Sequence, residues 1–179
     1  YKGHTSWIEG VQLLDNNRLL SWSVDNTLRL LNLNNGSSKV FEGHSARVIG
    51  VKVLDNERVI SWSADYTLRL WILNDGSSTL LEGHTDNVYG IQLLGNERAL
   101  SWSEDSTLRL WNLKDGSSTV LKGHTNWIEG VLLLDNERAL SWSNDSKLRL
   151  WNLKEGSSTV LEGHTDGVEG VELLGKERA

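Results

Sequence analysis

The segment that decides the fold is residues 41–80, which read FEGHSARVIGVKVLDNERVISWSADYTLRLWILNDGSSTL. Nearly the same 40 residues occur before and after it: Gly-His recurs five times at steps of 40, from Gly3-His4 to Gly163-His164. Self-similarity at a fixed period is the signature of a repeat architecture. The chain is therefore one segment, 1–179, that divides into repeats 1–40, 41–80, 81–120, 121–160 and a partial repeat 161–179.

Within a repeat the apolar residues alternate with a period of two, which is typical of strands. Short turn sequences separate the runs, and Asn74-Asp75-Gly76 is a hairpin turn in which the glycine supplies positive φ. Four strands of this kind predict an all-β fold. We call them strands a to d of each repeat, and in residues 41–80 we predict them at Val48 to Leu54, Arg58 to Ser63, Thr67 to Leu73, and Ser77 to Glu82.

The period of 40, the Gly-His opening, the Ser-x-Ser-x-Asp of strand b and the tryptophan of strand c resemble the WD40 family of β-propellers. The resemblance covers the whole chain and implies four-stranded antiparallel blades arranged radially, about four and a half per chain. Two features depart from the family pattern. The closing Trp-Asp is Trp111-Asn112 here, and a tryptophan stands between the strand-b serines, where the family usually has glycine. We expect this ring to need room between blades, so blade spacing or number should differ from the common seven.

The resemblance also implies a buried network in each blade. The Gly-His histidine should bond the aspartate of the b–c turn, a serine on strand b and the strand-c tryptophan. In repeat one Leu31 replaces the tryptophan, so that network should be incomplete. Carried over by position, the network residues are His44, Asp65, Ser61 (or Ser63) and Trp71; His84, Asp105, Ser101 and Trp111; and His124, Asp145, Ser141 and Trp151.

Composition excludes several classes of function. The formal charge of −6 opposes nucleic-acid binding, which needs clustered Lys and Arg. The chain has no cysteine, so disulfides, zinc-thiolate sites and thiol nucleophiles are excluded. No apolar run approaches the roughly 18 residues of a membrane span, and no signal-peptide pattern opens the chain. We therefore expect a cytoplasmic protein with no nucleic-acid or membrane partner. The five histidines are spread one per repeat, so we predict neither a metal site nor a cofactor.

The recurring Ser, His and Asp could suggest a hydrolase. The set occurs four times in identical context, however, and no Gly-x-Ser-x-Gly elbow is present. We therefore predict no catalytic residue and no enzyme. Two arginine series also recur, before strand b from Arg18 to Arg178 and on strand c from Arg29 to Arg149; we expect inter-blade ion pairs from them.

Differences between repeats concentrate after Gly-His, at the start of strand a, and before the turn aspartate. In a propeller these three positions converge on one face, which we call the top face. A constant frame with varied loops is typical of a binding surface, although loops that simply tolerate drift would look similar. Exposed Trp, Tyr and Arg match interface hot-spot chemistry. The residues predicted to contact a protein or peptide partner are Trp7, Glu9, Arg47, Ile49, Asn87, Tyr89, Glu104, Trp127, Glu129 and Asn144.

The partial fifth repeat raises the question of how the ring closes. It contains a predicted strand a at Val168 to Leu174, and apolar blade faces would be exposed at both ends of the arc. We favour a homodimer that closes an eight-bladed ring over a longer array that closes within one chain. A different class of function also stays open: a self-assembling structural or engineered repeat with no selected ligand. Repeats 81–120 and 121–160 share 29 of 40 positions, and methionine is absent.

Overall fold

The computed structural model describes residues 3–172, which form strands and turns. No helix in that range is long and apolar enough to span a bilayer. The first two sheets contain β1 (Ile8–Leu13), β2 (Arg18–Ser23), β3 (Leu28–Asn32), β4 (Ser38–Phe41), β5 (Val48–Val53), β6 (Arg58–Ser63), β7 (Leu68–Ile72) and β8 (Ser78–Leu81). The next two contain β9 (Val88–Leu93), β10 (Arg98–Ser103), β11 (Thr107–Asn112), β12 (Ser118–Lys122), β13 (Ile128–Leu133), β14 (Arg138–Ser143), β15 (Leu148–Asn152) and β16 (Ser157–Leu161).

Each run of four consecutive strands forms one antiparallel sheet in chain order, which we call blades 1 to 4. The all-β prediction of four-stranded blades is confirmed. Strand b of the second repeat, β6, has the predicted bounds, and β5, β7 and β8 differ from prediction by one residue at an end or at both. Their ends shorten because the flanking residues turn the chain: Leu54 N, for example, bonds the carbonyl of Arg58 across the a–b turn.

The b–c turn places the aspartate that follows strand b. In blade 2 the Asp65 amide donates to Ser63 Oγ at 3.1 Å, and the Asp65 carboxylate accepts from the Thr67 amide at 2.9 Å. Between them Tyr66 adopts φ +70°, a left-handed conformation that is costly for a residue with a Cβ. These local bonds fix the Asp65 carboxylate on the inner side of the turn.

The hydrophobic cores lie between blades rather than within them. Leu20, Leu28 and Phe41 of blade 1 pack in one cluster with Val48 and Trp71 of blade 2. Equivalent clusters join blade 2 to blade 3 and blade 3 to blade 4. Each blade therefore has two different apolar faces: a trailing face toward the next blade and a leading face toward the previous one. A sheet needs both faces covered to bury its apolar side chains.

The two end faces of the arc are partly uncovered. On the leading face of blade 1, Ile8 and Val11 are 55% and 58% exposed, whereas Val48 in blade 2 is fully buried. On the trailing face of blade 4, Leu161 is 41% exposed, whereas its equivalent Leu81 is fully buried. Ring closure by a second chain therefore stays a prediction.

The predicted strand at Val168 to Leu174 is not formed over residues 168–172, and its last two residues lie outside the described range. A strand a pairs with strand b of its own blade, as β5 pairs with β6. Residues 3–172 contain no such partner for this segment, because β14, the nearest strand b, already pairs with β13 and β15. The segment therefore lies on blade 4 without joining a sheet.

The strand-b tryptophan covers the glycine of the neighbouring strand a. Trp62 is the cross-strand partner of Gly50, and its Cζ2 lies 2.1 Å from where a Cβ on Gly50 would be. The same Trp-on-Gly pair recurs in all four blades. Trp22, Trp62 and Trp102 also pack against the apolar clusters between blades, as expected. The effect of this indole on blade spacing or number stays a prediction.

Candidate interaction face and buried histidine network

A chain of hydrogen bonds runs through the interior of blade 2. Trp71 Nε1 lies 2.8 Å from Ser61 Oγ, His44 Nε2 lies 2.7 Å from the same oxygen, and His44 Nδ1 lies 2.8 Å from Asp65 Oδ2. Ser61 is fully buried and His44 is 7% exposed. The structure therefore brings together the four residues that the resemblance implies, with Ser61 rather than Ser63 as the serine.

The chemistry of the groups fixes the direction of these bonds. An indole N–H can only donate, so Ser61 Oγ accepts from Trp71. The single hydroxyl proton of Ser61 is then donated to His44 Nε2. Consequently His44 carries its own proton on Nδ1 and donates it to Asp65. The network is a continuous chain of hydrogen bonds from the tryptophan to the carboxylate.

The carboxylate end of the chain is held ionised. Burial acts to raise the pKa of Asp65, but hydrogen bonds from His44, the Thr67 hydroxyl and the Ser45 amide outweigh it and hold that pKa well below its usual range. In blade 4 burial lowers the pKa of His124 more than Asp145 raises it. The first shift favours a charged Asp65 in blade 2, and the second favours a neutral His124 in blade 4.

Blade 3 repeats the chain with His84, Ser101, Asp105 and Trp111 at 2.7–2.8 Å. Blade 4 does so with His124, Ser141, Asp145 and Trp151, also at 2.7–2.8 Å.

The outer members of the chain vary between blades. Lys147 stands in blade 4 where Thr67 donates its hydroxyl in blade 2, and its amide bonds Asp145 at 3.0 Å. In blade 1 His4 bonds Ser21 at 2.8 Å and Asp25 at 2.9 Å, but Leu31 brings no indole. Blade 1 therefore lacks the first donor of the chain.

The histidine network holds the strands and turns of one blade together, and its serine is not placed to act as a nucleophile. A catalytic serine must present its oxygen to a substrate, yet Ser61, Ser101 and Ser141 are fully buried. In each, the oxygen already accepts from a tryptophan. Histidine, serine and aspartate come from different strands and turns of one sheet, so their bonds tie strand b to the incoming loop and to the b–c turn.

The top-face loops are joined to one another by backbone hydrogen bonds. The amide of the residue before each turn aspartate donates to the carbonyl of a residue after Gly-His, at 2.9–3.0 Å. The four pairs are Val24 with Trp7, Ala64 with Arg47, Glu104 with Asn87, and Asn144 with Trp127. Two of the three variable positions are therefore neighbours in every blade, held by a bond that does not depend on the side chain.

Side chains extend these contacts to the third variable position. In blade 3 Glu104 accepts from Asn87 Nδ2 at 2.8 Å and from the Tyr89 hydroxyl. These two donors lower the pKa of Glu104. Burial and the Glu104 carboxylate together raise the pKa of Tyr89 above its usual value. Between blades, Arg47 Nη1 lies 3.8 Å from Glu9 Oε1.

The top face also contains an acidic cleft of about 500 Å³ at blade 4, lined by Glu129, Asn144, Asp166, Gly167, Val168 and Glu169. The last four were not among the predicted contact residues, although Asp166, Gly167 and Glu169 occupy the same variable positions in the partial fifth repeat. Their signal in the sequence is the Gly-His that precedes them. Among residues 3–172 no group of three or more His, Cys, Asp or Glu side chains could hold a metal ion.

The remaining predicted contact residues differ in exposure. Trp7 is 85% exposed and Trp127 is 46% exposed, while Ile49 is half-buried. Trp7 lies beside the uncovered leading face of blade 1, so part of its exposure comes from the missing neighbour. Trp127 lies between two blades and is exposed through the top face itself.

Among residues 3–172 no ion pair joins a strand-b arginine to a carboxylate of another blade. Arg58 Nε pairs with Asp55 of its own a–b turn at 2.8 Å, and Arg18 and Arg138 do the same. Across the blade gap Arg58 Nη2 instead reaches a carbonyl, Asn96 O, at 3.4 Å. On strand c Arg69 donates to Ser78 of the adjacent strand. The a–b turn supplies the nearer carboxylate, as Asp55 does for Arg58. Arg178 lies outside the described residues.

One family model matches the chain: residues 76–112 match the WD domain, G-beta repeat. The matched range covers β8 of blade 2 and β9 to β11 of blade 3, so the sequence repeat of the family spans two blades. It ends at Trp111-Asn112, where the histidine network of blade 3 begins. No curated protein matches the chain.

Proposed function

We propose that the chain is a non-enzymatic scaffold whose top face binds another protein or a peptide, because residues 76–112 match the WD domain, G-beta repeat and the same four-stranded sheet occurs four times. WD40 propellers are typically interaction scaffolds. The observation that carries the proposal is the distribution of sequence change: the blade frame is nearly constant, and the variable positions lie together on the top face. Backbone bonds hold that face in place whichever side chains it presents.

The chemistry of the top face suits a peptide that has both aromatic and basic groups. Trp127 offers an exposed indole, and Tyr89 is 36% exposed. Glu129 and Glu169 line the neighbouring acidic cleft. Exposed aromatic residues contribute much of the binding energy in interfaces, and carboxylates beside them favour a cationic partner group.

The test is a selection of peptides from a random library on the immobilised chain, followed by affinity measurements on variants. Trp127→Ala should weaken binding of the selected peptides by about 30-fold or more, since truncation of a hot-spot residue costs about 2 kcal/mol or more. Lys114→Ala is the matched control, because Lys114 is exposed but pairs with Glu97 in turns outside the top face. Peptides that ignore Trp127→Ala, or the absence of any binder, would contradict the assignment of the face.

We further propose that two copies close an eight-bladed ring as a homodimer. The uncovered leading face of blade 1 and trailing face of blade 4 are the two halves of an interface that the chain already builds three times. Eight blades lie within the usual range for propellers. Light scattering behind a sizing column should give a mass near twice 20.1 kDa; a monomer at all concentrations would contradict the ring.

A further inference from the structure

Residues 163–172 repeat the sequence of residues 3–12. Glycine, histidine, threonine, glutamate, glycine and valine are the same at six of the ten positions, and Val168 corresponds to Ile8. In blade 1 these residues lead into strand a of a complete blade. At the other end of the arc they follow blade 4 and form no strand.

This segment lies on the trailing face of blade 4. The Val168 side chain is buried, with 7% exposure, and the Val168 amide donates to the Ser143 carbonyl at 3.3 Å. Gly167 is so close to Asn144 that a Cβ would meet its Oδ1 at 2.6 Å. The contact is therefore specific to this register, although the segment belongs to no sheet.

The equivalent contact inside the arc shows which residue normally covers this part of a trailing face. Val48 corresponds to Val168 and is fully buried against Leu20, Leu28 and Phe41 on the trailing face of blade 1. Wherever a blade has a neighbour, the start of the neighbour's strand a fills this place. For blade 4, Val168 is the residue at the corresponding position.

We propose that residues 163–172 are a self-cap that competes with residues 3–13 of a second copy for the trailing face of blade 4. The proposal rests on the two-chain ring proposed above. Both segments carry the same motif to the same place, so they cannot occupy it together. The cap must leave blade 4 before blade 1 of the second copy can dock.

The cap covers the face less completely than a blade does. Leu161 stays 41% exposed beneath it, whereas Leu81 and Leu121, which have a whole blade beside them, are 0% and 1% exposed. A second copy would bring Ile8 and Val11, which are themselves exposed by more than half. Docking thus buries apolar surface on both partners, while the cap buries little more than one valine.

The experiment measures the dimer dissociation constant by sedimentation equilibrium for the 179-residue chain and three variants. Val168→Asp unseats the cap and leaves both blade faces intact. Thr165→Asp is the matched control, since it adds the same charge at an exposed position of the same segment. Ile8→Asp removes the apolar side chain that residues 3–13 of the second copy would bury. It should not disturb the monomer, because Ile8 is exposed there.

We expect Val168→Asp to tighten the dimer by about 10-fold or more, the order set by burial of one valine side chain. Thr165→Asp should leave the dimer affinity unchanged. Ile8→Asp should weaken the dimer both in the original chain and in the Val168→Asp variant. A dimer that forms but ignores Val168→Asp overturns the cap and leaves the ring standing. No dimer in any variant overturns both. Amide exchange of residues 163–172 should also rise with protein concentration, and exchange that does not change overturns the displacement.

Discussion

Gly90 and Trp102 face each other across β9 and β10, and the indole of Trp102 fills the space that a side chain on Gly90 would take, with Cζ2 2.3 Å from a Cβ position there. The pair explains two sequence features at once. Strand a needs a glycine at this point, and strand b can carry a large ring where the family usually has the small residue.

Gly90→Ala should therefore destabilise the chain by about 1–3 kcal/mol, the usual cost of overpacking, although alanine normally suits a strand better than glycine. Urea unfolding measures the change. The same substitution in a Trp102→Leu background should cost much less, because the clash has gone. An equal cost in both backgrounds would show that backbone conformation, not the ring, requires the glycine.

The two tryptophans of blade 3 should respond differently to phenylalanine. Trp111 Nε1 donates to Ser101 Oγ at 2.8 Å, whereas the buried Nε1 of Trp102 has no hydrogen-bond partner among residues 3–172. Both substitutions remove the same atoms, and the two sites differ in the bond and in burial, since Trp111 is buried and Trp102 is half-buried. We expect Trp111→Phe to cost about 1–2 kcal/mol more than Trp102→Phe in the free energy of unfolding. Equal costs would mean that the Trp–Ser bond contributes nothing net.

Blade 1 offers the reverse substitution. Leu31→Trp should bring an indole to Ser21 Oγ, as Trp71 does to Ser61, and complete the network that His4 and Asp25 already form. One added hydrogen bond should stabilise the chain by about 0.5–1.5 kcal/mol. Leu31→Phe is the control, since it adds an aromatic ring without a donor. If both variants gain equally, the effect is apolar packing alone.

Stability should fall in acid in two steps. The pKa of His124 is lower in the folded chain than its value of about 6.5 when unfolded, so the unfolded state binds more protons as the pH drops below that value. The pKa values of Asp65 and Asp105 are also lowered by folding. Their contribution is complete above about pH 4 and is lost as the pH falls further.

The midpoint of urea unfolding, measured from pH 8 to pH 3, follows both steps. We expect a flat region above about pH 7, a decline between about 6.5 and 5, and a steeper decline below 4. His124→Gln should flatten the first decline and keep the second. An unchanged slope between pH 6.5 and 5 in that variant would show that His124 does not govern it.

The blades were predictable because their period, turns and alternation are local properties of the sequence. Strand b at Arg58–Ser63 could be placed to the residue, since a turn signal bounds it on each side. The network could be carried over by position because the repeat resembles the WD40 family, not because local pattern shows it. The partner of Arg58 could not, because Asp55 in its own turn and the carboxylates of the next blade are equally compatible with the sequence. Only the geometry of the turn shows that Asp55 is nearer.

Local pattern does not distinguish Ile8 and Leu161 from their buried equivalents, since all carry the same apolar signal. Their exposure agrees instead with the prediction of uncovered faces at both ends of the arc. What distinguishes them is whether another blade stands beside them. Residues 168–172 form no strand for a related reason: Val168 has the right sequence, but residues 3–172 offer no unpaired strand b.

Because every core described above lies between two sheets, the number of cores depends on whether the row of blades is open or closed. Each core is shared by two blades, so the interface between two blades is the unit that stabilises the chain; we call it a joint. Four blades in an open row have three joints. Two separate rows hold twice three, or six, whereas the same eight blades in a circle hold eight. Closure would add two joints without adding a residue, which makes the stability of such repeats a property of their connectivity as much as of their composition.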